Sequence, residues 1–340
     1  MPGTILSQLT GQQRSLIDHV TITNAKKNPL IGIIPKGGST QNVMYEYPVD
    51  LEATPADNAA VDGTDIDSFG DAEENYTMLA GRCQWSRRAY MTGALAEADP
   101  VAGIKNHRAY AVKHAMTALW ADIEGTLGSD QDVVVGSGSL ANRCRGIGDW
   151  IQTSIGSGAY AVPAAFCPAS GAVATGASSG LTPAVLNTVL QNVWAKGGVS
   201  GDETLPLITG ATIKNIITTF PQETDEGTSH PAATGVSVYN VDASSKTVWR
   251  TVRKFMGDYG NIDIIPTLRN ALAGFTGGSA AYSLLRGYLI NPKYLDMIWR
   301  WTPKVMALPD GGGGERFMAH AYWGLRNRKP DAHGSFRYTS

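Results

Sequence analysis

The chain has 340 residues, 43% of them hydrophobic and 17% charged, with a net charge of −2 and a sequence pI near 6.3. That length exceeds the roughly 250–300 residues at which one hydrophobic core stops growing, so more than one packed region is expected, and the charge balance excludes a module that grips nucleic acid through a basic stripe. Cys83, Cys144 and Cys167 lack metal-ligand spacing, which implies reduced thiols and no disulfide framework, and no run of about 18 apolar residues offers a membrane-spanning helix.

Met1–Leu9 lacks the basic flank and long apolar core of a signal peptide, so the expectation is a soluble protein made inside a cell. In Ile34-Pro35-Lys36-Gly37-Gly38-Ser39-Thr40 the lysine precedes the glycines, which is the wrong order for a phosphate-binding P-loop. No Lys or Arg occurs between Lys36 and Arg82, yet Glu46, Asp50, Glu52, Asp57, Asp62, Asp65, Asp67, Asp71, Glu73 and Glu74 all lie there. A block of like charge repels itself and stays extended. Alternation in Val43–Val49 and again in Tyr76–Leu79 brackets the block and predicts a two-stranded arm with an acidic tip. A solvated surface loop is the plain alternative; against it, excursions longer than about 15 residues are uncommon in a compact domain unless they have a job. Basic side chains are available to receive such a tip: Arg82, Arg87 and Arg88 follow at once, and nine bases from Arg286 to Arg337 outnumber four carboxylates there.

Asp99-Pro100 reads as an N-cap followed by proline at the first helical position, and Val101, Ile104, Val112, Ala115, Leu119 and Ile123 form one apolar stripe, predicting a helix over 99–127 with Lys105, Lys113, Asp122 and Glu124 off the stripe. Asp132–Val135 is a short strand candidate, and Ser154–Gly180, rich in Gly, Ala and Ser, an ordered meandering loop whose Tyr160, Val162 and Phe166 need cover. Thr182-Pro183 opens a helix through Trp194 with Val185, Leu186, Val189, Leu190 and Val193 inward and Gly197-Gly198 ending it. A buried strand follows at Leu205–Thr209, then a helix at Ala211–Phe220, a hairpin of Val236–Val241 with Thr247–Val252, and a strand, tight turn and alternating strand from Val252 to Pro266. Strands and helices mix without regular alternation, which is α+β.

Several patterns imitate chemistry. Gly136-Ser137-Gly138-Ser139-Leu140-Ala141 after an apolar run resembles a dinucleotide-binding turn, but no acid lies about 20 residues on and no parallel βαβ unit surrounds it. Asp65-x-Asp67-x-Phe69-Gly70 resembles a calcium loop with Phe69 at a ligand position and Tyr76 where a bidentate Glu is needed. Glu223, Asp225, Glu226 and His230 read first as a polar turn, and His107 and His114 have no carboxylate or cysteine placed to complete a ligand set. No catalytic constellation, cofactor or metal is expected.

The C-terminal sixty residues are the most specific. Tyr282–Asn291 is an apolar strand closed by Asn291-Pro292, Met297–Leu308 a strand carrying Trp299 and Trp301, Pro309-Asp310 with four glycines a turn, and Arg316–Leu325 a third strand before Arg326-Asn327-Arg328-Lys329-Pro330-Asp331-Ala332-His333-Gly334. This order, with Val252–Pro266 just before it, resembles the tailed-phage major capsid proteins with the HK-ninety-seven-type fold. The resemblance implies an N-terminal arm over 1–42, an extended β loop over 43–90, a peripheral domain over 91–181 with a long spine helix at 99–127, an axial domain over 182–272, and C-terminal strands over 273–340 that return to the peripheral domain.

It also implies a structural role without catalysis: pentamers and hexamers tiling an icosahedral head around double-stranded DNA, in a virion assembled in the host cytoplasm. Scaffolding, portal and decoration proteins become expected partners, and a subunit of a non-viral, encapsulin-like compartment is the alternative. Family members lay the extended loop across a neighbour, which makes Asp57, Asp62, Asp65, Asp67, Arg82, Arg87 and Arg88 candidate inter-subunit contacts. Some members weld subunits through a lysine in that loop; residues 37 to 104 contain none, so non-covalent contacts or a separate cement protein are expected. A charged fraction below the average of about 25% fits a surface covered by identical neighbours.

Overall fold

The computed structural model describes residues 28–57, 59–63, 65, 76–94, 104, 106–201, 203–220, 240–242, 247–249, 253–267, 284–309 and 312–339. In chain order the elements are α1 (Pro29–Ile33), β1 (Lys36–Ser39), β2 (Met44–Val49), β3 (Thr77–Arg82), β4 (Gln84–Gly93), α2 (His107–Leu127), α3 (Ile147–Trp150), β5 (Val173–Ala177), α4 (Pro183–Ala195), β6 (Thr204–Thr209), α5 (Ala211–Thr218), β7 (Asn240–Asp242), β8 (Thr247–Trp249), β9 (Lys254–Gly257), β10 (Gly260–Pro266), β11 (Arg286–Leu289), β12 (Leu295–Leu308), β13 (Gly314–Asn327) and β14 (Gly334–Thr339). They form sheets ordered β1-β12-β13-β4 and β5-β14-β11-β6-β10-β9, with separate two-stranded pairs β2-β3 and β7-β8. The α+β reading holds.

Contacts divide the described residues into two compact units, one from segments 87–119 and 304–320, the other from 26–86, 120–303 and 321–340. The larger unit contains the six-stranded mixed sheet. β10 runs parallel to β6 with Ile262 opposite Leu205 and Ile264 opposite Leu207, and β11 returns antiparallel with Leu289 opposite Leu207. Helix α4 covers it as the periodicity predicts: Leu186, Val189, Leu190 and Val193 are buried among Leu205, Leu207, Ile262, Leu289 and Phe336. Each such side chain withdrawn from water contributes about 1.5–3 kcal/mol. Thr182 caps α4 by accepting from the Val185 N–H, and Gly197 ends it with φ +67°, a left-handed conformation that favours glycine.

The spine helix starts later than expected. Asn106, rather than Asp99, is its cap, with Oδ1 accepting the Ala109 N–H at 2.8 Å, and α2 then runs 21 residues, about 32 Å. Ile104 makes a bridge, while Asp99, Pro100 and Val101 lie outside the described residues. Glu124, expected off the apolar stripe, is fully buried, and its two carboxylate oxygens accept the N–H groups of Leu30 and Ile31 at 2.9 and 3.0 Å. The segment that precedes β1 covers this side of the helix, and the carboxylate satisfies the free donors that open α1.

Two further expectations change. Asp132–Val135 forms one isolated bridge, Val134 to Arg143, in place of a strand, and the Ser154–Gly180 meander contains β5, which pairs parallel with β14 from Ser335 opposite Val173 to Thr339 opposite Ala177. Small residues and Gly176 hide β5 from any propensity argument. Val162 and Phe166 are buried as expected.

The Asn-Pro and Ala-His-Gly signatures turn out to be one buried network. His333 Nδ1 accepts the Asn291 N–H at 3.0 Å, so the ring proton sits on Nε2 and is donated to Asn327 Oδ1 at 3.1 Å, while Asn291 Nδ2 donates to the Gly198 carbonyl at 2.6 Å. Burial pushes the imidazole down to about 3. Below pH 6.5 the unfolded state therefore takes a proton that the folded state refuses, and stability falls with acidification down to about pH 3, by at most about 1.4 kcal/mol per pH unit. Asp149 acts oppositely: burial raises its carboxyl to about 6, against the pull of Arg145, so acidification from about 6 to 3.8 favours the folded state. In urea unfolding of the full chain, His333→Gln is expected to remove about 2–3 kcal/mol of the difference in stability between pH 7 and pH 4. An unchanged difference would place the acid response elsewhere.

Candidate assembly surface

The arm is built from its base outwards. β2 and β3 pair antiparallel over six positions, from Met44 opposite Arg82 to Val49 opposite Thr77. Alternation in β2 turns Tyr45, Tyr47 and Val49 inward and leaves Glu46 and Pro48 exposed. Both phenols are pinned to the last strand of the C-terminal hairpin: Tyr45 Oη donates to the Leu325 carbonyl and Tyr47 Oη to the Asn327 carbonyl, each at 2.7 Å. The Tyr45 ring runs between two glycines. A Cβ would fall 2.4 Å from it at Gly81 and 2.8 Å at Gly324, so no larger residue fits without moving the ring.

Below Tyr47 lies Arg326, its guanidinium carbon 6.0 Å from the ring centroid and its fork closed on Asp296 at 2.8 and 2.6 Å. Gly37 of β1 passes so close to Asp296 that a Cβ there would meet its carboxyl carbon at 2.9 Å. β1, the arm base and the hairpin therefore share one polar junction.

Beyond Val49 the chain changes character. Asp50, Glu52, Asp57, Asp62 and Asp65 are exposed, Val61 is 80% exposed, and Tyr76 and Met78 on the returning side are about half exposed. Asp57 Oδ1 accepts a local bond from the Ala59 N–H at 3.2 Å. Asp67 lies outside the described residues, as do Phe69, Glu223, Asp225, Glu226 and His230. No described cluster of His, Cys, Asp or Glu has the makings of a metal site.

The expected basic residues separate into two groups. Arg82 is engaged within its own chain, Nε donating to Asn142 Oδ1 at 2.6 Å and Nη1 to Tyr160 Oη at 2.7 Å. Arg286 and Arg337 both reach Asp130, Arg326 holds Asp296, and Lys293 pairs with Glu203 at 2.8 Å. Arg87, Arg88, Arg300, Lys304 and Arg316 are exposed. Nothing local marks Arg82, Arg286, Arg326 and Arg337 as engaged, because the partner of each lies thirty or more residues away. Arg145 went unnoticed altogether: fully buried, it reaches Asp132 at 2.8 Å and Asp149 at 3.0 Å and lies 4.7 Å over Trp150.

The dinucleotide-like stretch is a plain turn. Ser137 and Leu140 exchange backbone hydrogen bonds, and the Gly136 N–H donates to Asn142 Oδ1 at 2.7 Å, so its donors face the chain itself. The three cysteines are buried and free, and burial pushes the Cys83 thiol up to about 12.

A family model described as SU10 major capsid protein matches residues 4–340. This chain belongs to the SU10 major capsid protein family. Its fold is similar to the capsid subunit of cyanophage A-1(L), with a TM-score of 0.60 at 12% identity over 98% of both chains, and to the capsid of a native GTA particle, with a TM-score of 0.60 at 11% identity over 98% of both. A chain of Mycobacterium phage Adephagia aligns with a TM-score of 0.58 at 11% identity, covering 100% of this chain and 99% of that one. No curated protein matches the chain. The HK-ninety-seven-type capsid fold expected from the C-terminal strands is thus the fold of this major capsid protein, a structural component of the virion shell that associates with itself.

For the capsid subunit, the glycine clamp gives a double-mutant test. Gly81→Ala is expected to cost about 1–3 kcal/mol in urea unfolding by overpacking Tyr45, and most of that cost should vanish in a Tyr45→Ala background. Equal costs in both backgrounds would show that the ring is not what Gly81 accommodates.

Proposed function

We propose that this capsid protein closes into rings of five and six, that the rings tile an icosahedral head enclosing double-stranded DNA, and that the 43–90 loop of each copy lies across a neighbour. The observation that carries this reading is the arm: a base fixed by two buried phenols, followed by a tip whose described carboxylates are all exposed. A self-repelling segment on a rigid mount is suited to contacts outside its own chain. Head-to-tail contacts between copies generate rings when the rotation closes. Each contact can be modest, because closure makes the later ones effectively intramolecular.

In this reading residues 1–42 form the N-terminal arm, 91–181 the peripheral domain, 182–272 the axial domain near the ring centre, and 273–340 the strands that return to the periphery. The subunit acts as a building block and not as an enzyme. Scaffolding, portal and decoration proteins are its proposed partners, and DNA is enclosed without sequence-specific contact. Without a lysine from 37 to 104, the arm has no amine for covalent welding, so complementary surfaces hold neighbours.

Removal of Asp50–Glu74 tests the arm. The deletion leaves the β2-β3 ladder intact, so the variant is expected to stay folded by circular dichroism while its yield of sedimenting particles falls at least ten-fold. Normal particle yield from the deletion variant would refute the arm reading. Particles carrying protein cargo in place of DNA would move the function to a non-viral compartment.

A further inference from the structure

Two carboxylates share the buried Arg145. Its Nε and Nη2 donate to Asp132 Oδ1 at 3.1 and 2.8 Å, and Nε also lies 3.0 Å from Asp149 Oδ2. Because the Nε proton is directed at Asp132, Asp149 Oδ2 receives no hydrogen bond among the described residues, although it is buried. The other oxygen of Asp149 accepts from Gln152 Nε2 at 3.0 Å. A buried, charged oxygen without a donor is unfavourable, and a proton placed on it removes both the charge and the missing bond.

The other charges around Asp149 are already engaged. Arg337 of β14 and Arg286 of β11 both reach Asp130, Arg337 also donates to the Gly148 carbonyl, and Tyr288 Oη donates to Asp130 Oδ1 at 3.2 Å. Asp132 faces Asp149 closely enough to hydrogen-bond with it. Burial raises the Asp149 carboxyl from 3.8 to about 6 against the pull of Arg145, with Asp132 adding to the rise and Arg337 opposing it. The same guanidinium holds a loop. Arg145 Nη2 donates to the Tyr160 carbonyl at 2.9 Å, and the Val162 N–H donates to the Ile155 carbonyl at 3.0 Å. Between them Gly156, with φ +69°, passes where a Cβ would strike Nη2.

We propose that Asp149 is a proton-operated latch on the 146–162 segment: with a proton on Oδ2 it donates to Asp132 and keeps the loop closed over Arg145, and without that proton two facing carboxylates share one guanidinium and the loop opens more often. The proton is exchanged with water as the loop opens. Closure strengthens on acidification, because between 3.8 and about 6 the closed segment retains a proton that the open one releases. His333 acts in the opposite sense, since its neutral ring weakens the whole fold in acid. A local gain and a global loss are therefore separable, as local and global openings are distinct events.

Hydrogen exchange of the full-length chain, corrected for the intrinsic pH dependence of amide exchange, reads the latch. Protection of amides in 146–162 is expected to be about ten-fold higher at pH 5 than at pH 7.5, the ratio set by carboxyl values of 3.8 in the open segment and about 6 in the closed one. Amides of β6, in the middle of the sheet, should gain none. Asp149→Asn is uncharged at both pH values and can donate to Asp132, so its protection over 146–162 is expected to agree within about two-fold between them. Equal wild-type protection at the two pH values, a rise shared equally by β6, or a ten-fold rise that persists in Asp149→Asn would overturn the proposal. The wild-type comparison decides by itself should the variant not fold.

Discussion

The bidentate pair between Arg326 and Asp296 is the contact on which the neighbouring pieces of the larger unit converge. Asp296 is nearly buried, with its side chain 8% exposed, and Arg326 closes its fork on both oxygens. Removing Arg326 would leave the Asp296 carboxylate with the more distant Arg328 guanidinium at 3.9 Å, so the pair fixes geometry more than it adds net stability. Around it, β1 lies parallel to β12 with Lys36 opposite Met297, and the Met297 N–H donates to the Pro35 carbonyl at 2.9 Å. Tyr47 stacks on the guanidinium, and its hydroxyl reaches the carbonyl of the next residue, Asn327. The side chain of Asn327 in turn positions His333. A strand from the start of the chain, the base of the arm and the C-terminal network are thereby set by one charged junction.

The same economy shapes the rest of the charge distribution. A chain with few charged residues places several of its arginines against its own carboxylates: Arg145 on Asp132 and Asp149, Arg286 and Arg337 on Asp130. Those pairs hold elements together within the chain, while the described carboxylates of the arm stay exposed. Trp85, Trp194 and Trp301, each more than two-fifths exposed, add apolar area to the surface. For a capsid protein, neighbours are the natural cover for such surface.

Much of this was legible in the sequence because its periodicities are local. Tyr45, Tyr47 and Val49 alternate, Leu186 to Val193 recur at helical spacing, and 317–325 is a continuous run buried on both faces that reads as a central strand. The C-terminal signature carried the family, although its physical content, a neutral histidine bridging two asparagines, became visible only in three dimensions. What stayed hidden depended on distant partners. Glu124 looked like a solvent-facing carboxylate until residues 28–34 covered it, β5 has too little side chain to announce a strand, and Arg82 meets Asn142 and Tyr160 from sixty or more residues away. Of the arm, the strands and the exposure of Asp57, Asp62 and Asp65 could be read directly; that Arg82 at its base is spent on Asn142 and Tyr160 could not, because neither partner is near it in sequence.

Electron microscopy of the purified full-length chain tests the central claim most directly. The account requires closed containers built from five- and six-fold rings, with density from the 43–90 segment crossing subunit boundaries. A chain that stays folded yet persists as a monomer or small discrete oligomer under all assembly conditions, its arm packed on its own body, would contradict it.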